Sequence, residues 1–459
     1  MSAPSPTRPS TRGAARSLRR SGSASRIALG VTLVLGSACA AHAQSLLELY
    51  DAAHGYDATY LSARALAESV PYRIEQSEAL MRPSAALAGG AARQQTNPPF
   101  GPNYNSNSLS VSVTGRQPLF NRANVETIRQ AEKSLDVSSA DLDTAEQDLI
   151  LRLSQAYFDV LGAQDTLDTQ RAAKAAISEQ LASAKRNFEV GTATITDTRE
   201  AQARYDLATS QEIAAENDLV TKRIALDQLV GRQNIMPKQI AVPVALPPLV
   251  PDTAEGWVDQ AEAQHPVIRR ALIALEVAKL ETAKARAAAL PTVDAIGSVS
   301  GARGAIGGSF GGTVGNNTST SLGLQLNMPL YSGGSIQNRI KETLVLEDRS
   351  QNDLDTARRS VSQATRQAFY NLLSGAAQVR ALEAAESSSQ LALEATQLGY
   401  RVGVRVNLDV LNAQSQLFQT RRDLARARYD LLLGTLRLRQ AAGVVTAQDV
   451  TAVDRQLAP

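Results

Sequence analysis

The sequence predicts a mainly α-helical protein with a membrane β-barrel part, built as two structural repeats. Each repeat is a long α-helical coiled-coil hairpin joined to two β-strands. Three observations predict this. Residues 188–202 (FEVGTATITDTREAQ) return as 400–414 (YRVGVRVNLDVLNAQ) at a constant offset of 212 positions. Two proline-free stretches of about 70 residues, 122–190 and 334–402, are patterned as helix. Each of them follows a segment in which the hydrophobic period drops to two.

The repeat is the organising element. At the one offset Val190, Gly191, Asp197, Ala201 and Gln202 fall on Val402, Gly403, Asp409, Ala413 and Gln414. Ala156-Tyr157-Phe158 falls on Ala368-Phe369-Tyr370 in the same register. A single register without insertions marks a duplicated unit. Each copy interrupts a helix with one glycine and then resumes it. Gly191 and Gly403 are therefore the hairpin-tip turns, with a Thr or Asn expected to cap the returning helix.

In chain order, residues 1–43 read as an export signal. Six arginines precede an apolar run, and Ala41-His42-Ala43 fits the small-x-small cleavage rule. Its removal moves the formal charge from +2 to −4, so the balance of charge gives no support for nucleic-acid binding. It also removes Cys39, the single cysteine and a weak candidate for lipidation. The first repeat, 44–232, opens with one helical run from Leu46 to about Met81. Strands follow over about 84–118, separated by a polar loop at 97–107, and a helical hairpin spans about 122–231. Residues 233–256 are a proline-rich apolar linker that should lie against the body of the protein. The second repeat, 257–443, has a helical run from about Trp257 to Leu290 and strands over about 292–329. Its loop is expected at 304–317, and its hairpin spans about 334–442. The tail, 444–459, carries no evident signal.

Pro83, Pro118, Pro291 and Pro329 bracket the strand pairs, as expected of a residue that neither donates to a ladder nor continues a helix. Stretches of about 70 helical residues extend roughly 100 Å, too long for one globular core to cover. Val410, Leu417, Leu424, Leu431 and Leu438 recur every seven residues, and Ala413, Thr420, Ala427 and Gly434 follow three later. The first repeat keeps the small series at Ala201, Ala208 and Ala215. Small residues on a repeated face allow close neighbours on more than one side, as in a tube wall, whereas a plain two-helix coiled coil needs the heptad alone.

Four strands cannot close a barrel, and an open sheet in lipid leaves two unpaired edges. Strands in a membrane must therefore be pooled between chains. Two chains would give eight strands and a filled interior; three would give twelve and a lumen.

At these residues the chain resembles the TolC family of outer-membrane channel proteins, from Ser45 to about Gly443. The string GYRVGVRVNLDVLNAQ, continued by ARARYDLLLGTLRLRQAAG, carries the resemblance most specifically. The resemblance implies a homotrimer with a twelve-stranded outer-membrane barrel in lipid and a helical tunnel through the periplasm. It implies two further partners, a periplasmic adaptor (membrane fusion) protein and an inner-membrane ABC or proton-driven transporter. The exported cargo would be protein, as in type I secretion, or small toxic compounds. It further implies a periplasmic aperture in which Asp409 forms an acidic ring, with Asn412 standing where the family places a second acid. Asp197, Arg405 and Tyr400 would tie neighbouring coils shut. Asp197 and Asp409 also fit a first-turn acid favoured by the helix dipole, whatever else they do.

No catalytic constellation, cofactor motif or metal set is visible. His54 and His265 read as boundary residues, and the glycine-rich run at 300–315 lacks the Lys-Ser/Thr of a phosphate loop and reads as a mobile external loop. Arg421-Arg422 and Arg426/Arg428 read as a solvated helix face. An enzyme is not expected. The rival reading is a soluble periplasmic coiled-coil scaffold or adaptor without a pore, in which the strands form a small domain of their own.

Overall fold

A computed structural model describes residues 44–457 apart from 98, 101–102, 193, 242–248 and 307–312. The signal segment with Cys39, the middle of the linker and parts of the two strand-pair loops lie outside the described residues. The first repeat runs through α1 (Leu46–His54), α2 (Ala58–Glu78), β1 (Ser84–Thr96), β2 (Tyr104–Phe120), α3 (Arg122–Glu189) and α4 (Ile195–Val230). The second runs through α5 (Ala254–Gln264), α6 (Pro266–Ala287), β3 (Thr292–Ile306), β4 (Thr313–Asn327), α7 (Ser335–Arg401) and α8 (Asn407–Ala441), with α9 (Ala447–Asp454) after it.

Each expected opening helix is in fact two. In the first repeat the break is Asp57, whose carboxylate accepts the Tyr60 N–H at 2.9 Å and so starts α2. In the second, Pro266 has no N–H to continue α5, and His265 Nδ1 accepts from the Val267 N–H at 3.2 Å. The tail is also more structured than its composition suggested. Val450 and Val453 are buried, and the Asp454 carboxylate accepts the Leu46 N–H at 2.8 Å.

The strands run further into the expected loops than turn-rich composition allowed. β2 starts at Tyr104, and β3 pairs with β4 out to Ile306↔Thr313. Gly and Asn are poor strand formers, but a hairpin whose partner strand is already in register gives their backbone groups a ladder to join. Pro83 and Pro291 stand just before β1 and β3, and Pro329 stands just after β4. Pro118 departs from this pattern: it lies inside β2 opposite Asp294, where the register slips before Phe120. A residue without an N–H at a bulge costs the ladder little.

The long helices pair as hairpins, α3 with α4 and α7 with α8. α3 and α7 are 68 and 67 residues long and their returning partners 36 and 35, so each long helix continues alone past its partner. α6 lies against those upper parts. Val410, Leu417, Leu424, Leu431 and Leu438 are all buried, as are Ala201, Ala208, Ala215, Thr420 and Ala427. α8 packs on both α7 and α3, which a two-helix coiled coil would not require. A Cβ on Gly434 would come within 3.2 Å of Leu372 Cδ1, so this glycine sets how closely α8 approaches α7. Arg421 and Arg428 are not simply solvated. They reach Glu386 and Glu383 on α7, each at 3.0 Å.

Asp57 also holds the first repeat together. Its carboxylate takes Arg152 of α3 at 2.8 Å, and the Arg152 hydrogen bond holds the Asp57 pKa below the usual carboxylate value. Asp57→Asn keeps the cap acceptor but loses the charge, and should cost about 1–2 kcal/mol at neutral pH. A folded pKa held below the unfolded value near 4 adds stability that is full above the unfolded value and is lost as pH falls through the folded pKa. Denaturation curves should therefore separate wild type from Asp57→Asn at pH 7 and converge in acid; a gap that persists in acid would assign the loss to packing.

Candidate functional site

The two hairpin tips are built alike. After α3, Gly191 adopts φ +78°, and the N–H groups of Gly191 and Thr192 donate to the carbonyls of Phe188 and Asn187 at 3.0 and 2.8 Å. After α7, Gly403 adopts φ +79°, and Gly403 and Val404 donate to Tyr400 and Gly399 at 3.1 and 2.8 Å. The left-handed residue lets the chain satisfy the last helical carbonyls from beyond the helix end, and a Cβ would strain it.

The acids six positions on stand in the first turn of the returning helix. Asp197 accepts the Thr194 N–H at 2.9 Å and its hydroxyl at 2.7 Å, while the Thr194 Oγ accepts the Asp197 N–H at 3.2 Å. This reciprocal box fixes the start of α4. Asp409 accepts only the Val406 N–H, at 3.4 Å, because Val406 has no hydroxyl to answer with. The expected Asn cap is thus absent. Asn407 lies inside α8, buried, with its amide oxygen bonded to Gln180 of α3.

Among the described residues, three hydrogen bonds cross between the α3–α4 hairpin and the α7–α8 hairpin near these tips. Gln180 donates to Asn407, Asn187 donates to the Tyr400 hydroxyl oxygen at 3.2 Å, and Arg204 donates to the Asn412 amide oxygen at 3.2 Å. Of the five aperture residues expected from the sequence, Tyr400 and Asn412 therefore join the hairpins. Arg405 stays with Asp409, 3.7 Å away in the same turn, and Asp197 is engaged by its own cap. Within the chain no tie runs from Asp197 to Arg405 or Tyr400.

Gln180, Asn187, Arg204 and Asn407 were not singled out by the sequence. Asn407 left a signal, since at the repeat offset it replaces the apolar Ile195. The seam is polar and incompletely satisfied. The Asn407 amide nitrogen and the Gln414 amide oxygen are buried with no hydrogen-bond partner among the described residues. Such groups weaken a helix contact instead of strengthening it. Further along the α3–α8 contact, Tyr429 donates to Asp165 at 2.5 Å, and burial pushes the Asp165 carboxyl above its ordinary value.

At the other end of the molecule the four strands form one antiparallel sheet in the order β1-β2-β3-β4. The register sorts its side chains cleanly. Leu87 opposes Val113, Val113 opposes Val299, and Leu322 and Leu324 oppose Gly297 and Ala295, so all share one face. That face is solvent-exposed in the isolated chain, with Leu87 at 73% and Leu322 at 89%. The opposite face is polar: Ser298 meets Ser321 and Ser300 meets Ser319, both at 2.7 Å, and Arg116 pairs with Asp294 at 2.7 Å. β1 and β4 are edges, with no partner strand among the described residues.

The profile of the family described as outer membrane efflux protein matches residues 49–232 and 257–444, nearly all of the first repeat and the whole of the second. The chain belongs to that family. It is 31% identical to the outer membrane protein TolC of Vibrio cholerae over 94% of this chain and 98% of the relative. It is 33% identical to the alkaline protease secretion protein AprF of Pseudomonas aeruginosa, over 76% of this chain and 72% of the relative. The crystal structure of the outer membrane protein VceC of Vibrio cholerae superposes with a TM-score of 0.72, at 17% identity, covering 87% of this chain and 96% of that one. As a member of the outer membrane efflux protein family it is an exit duct of the outer membrane that extends into the periplasm. No described helix is long and apolar enough to cross a bilayer. Membership of an outer-membrane family does not favour the soluble-scaffold alternative, and among the described residues no protein layer covers the apolar face of the sheet.

Proposed function

We propose that three copies of this chain pool their sheets into a twelve-stranded barrel, with the long helices continuing it as a tunnel. Docked through a periplasmic adaptor onto an inner-membrane transporter, the trimer passively conducts cargo to the exterior. The observation that carries this reading is the four-stranded sheet with one bare apolar face and two open edges. Joining β4 of one copy to β1 of the next satisfies both edges and turns the serine-rich face to the lumen. The protease-secretion relative favours protein cargo by a type I route; an outer membrane efflux protein of Brucella suis, 27% identical, keeps small compounds in play.

In this assembly the bonds from Gln180, Asn187 and Arg204 hold the periplasmic end narrow. Three Asp409 carboxylates would gather near the axis and attract cations. Asn412 adds no second ring of charge, so cation selectivity should be weak. Native mass spectrometry in mild detergent, followed by planar-bilayer recording, tests the reading. The expected result is a trimer mass and a small, weakly cation-selective current. A monomer without current would overturn it. Deleting the gene and assaying protein export beside drug sensitivity then separates the two kinds of cargo.

A further inference from the structure

The membrane sheet is almost uncharged, which makes its few charges informative. Residues 84–120 and 292–327 contain four charged side chains: Arg93, Arg116, Asp294 and Arg303. Arg116 and Asp294 neutralise each other on the polar face, near the ends of the strands that join the helices. Arg93 and Arg303 lie at the opposite, turn-bearing ends of β1 and β3. The one carboxylate of the two strand pairs, Asp294, is held by Arg116 at the other end, and a neighbouring copy of the same strands would bring no other acid.

Their orientation follows from the register. Arg93 opposes Asn107 and Arg303 opposes Leu109, so both arginines share the face of Leu109, Val111 and Val113. On β3, Val293, Ala295, Gly297, Val299 and Gly301 occupy that face before Arg303 closes it. From Val293 to Arg303 is about 33 Å along the strand, or about 25 Å along the membrane normal at the tilt of such barrels. That is the height of an outward-facing apolar band. The arginines therefore stand at its far rim, where hydrocarbon gives way to headgroups. Arg93, Asn107, Leu109 and Arg303 line one open groove there.

We propose that this groove binds the phosphate-bearing headgroup of an anionic lipid in the outer leaflet. The inference rests on the barrel reading above. Two guanidiniums two strands apart present forked donors to phosphate oxygens, and Asn107 adds an amide between them. The leucine and valine band immediately below accepts the acyl chains. This adjacency favours a lipid over a free anion.

The test uses the purified full chain in detergent, with dimyristoyl phosphatidylglycerol and phosphatidylcholine as probes and native mass spectrometry as readout. Wild type should retain the glycerol lipid in preference to the choline lipid. Arg93→Gln with Arg303→Gln should reduce that preference roughly 10–30-fold, as expected for two arginines beside an anionic surface. Arg93→Lys with Arg303→Lys should keep more of it than the Gln pair. An unchanged preference in the Gln pair would overturn the proposal. So would displacement of the lipid by equimolar inorganic phosphate, which marks a bare anion site. Flotation of every variant with phosphatidylcholine vesicles checks folding and membrane insertion. A wild type that fails to float sinks the barrel reading, whereas one that floats without a headgroup preference sinks this inference alone.

Discussion

A chain carrying Val113→Arg together with Val299→Arg should be absent from the outer membrane and accumulate in the periplasm or be degraded. The two valines oppose each other on β2 and β3, on the bare apolar face, with Val299 near the middle of the band. An arginine facing lipid near the bilayer midplane costs about 2–4 kcal/mol, so the pair costs about 4–8 kcal/mol per chain and three times that in a trimer. Such a loss is comparable to the whole stability of a domain. The control is Ser298→Arg, one residue along β3 and on the polar face. If that face lines a lumen, this arginine stays in water, the chain still inserts, and only conductance changes. Membrane fractionation with a heat-modifiable trimer band on gels reads both. Equal membrane yield from the valine pair and wild type would mean that this face does not meet lipid.

Gln180→Ala with Tyr400→Phe and Asn412→Ala should convert a nearly closed pore into a persistently conducting one. The three substitutions remove the three hydrogen bonds seen between the hairpins near their tips. At about 1 kcal/mol each, they shift a closed–open balance by roughly 100-fold per chain. Single-channel recordings should show larger and longer openings. Asp197→Asn should leave the current near wild type, because Asp197 serves the α4 cap and Asn can fill that role. Asn407→Ile should act in the same direction as the triple variant, and more weakly. It removes the same Gln180 bond and leaves that amide without its partner, so it should loosen the seam as Gln180→Ala does. A triple variant that conducts like wild type would take the aperture away from these bonds.

Much of the fold was legible because its signals are local. The corner glycines, the acids of the first helical turn and the heptad of α8 each depend on residues within two turns of one another. Period-two alternation located all four strands for the same reason. The errors also have physical causes. Pro118 was placed outside β2 because proline is excluded from a regular ladder, and the register slip there relaxes the exclusion. The breaks at Asp57 and His265 were missed because a side-chain cap inside a continuous helical pattern looks like an ordinary polar position.

The candidate site was only half legible. Tyr400 and Asn412, the latter expected only at the second ring position, each bond to the other hairpin, and their partners Asn187 and Arg204 had no motif to announce them. Asp197 makes no tie within the chain, where its Oδ2 serves the Thr194 cap.

The sequence by itself determined the duplication, the two hairpins, the strand pairs and the shortage of strands for a closed barrel, since each is written in spacing along the chain. The tertiary structure alone decided which polar side chains meet across the hairpins and which face of the sheet carries Arg93 and Arg303. The hairpin bonds join residues more than 200 positions apart. Their choice depends on how one helix is rotated and shifted against another, and a slip of one strand residue would turn both arginines to the other face.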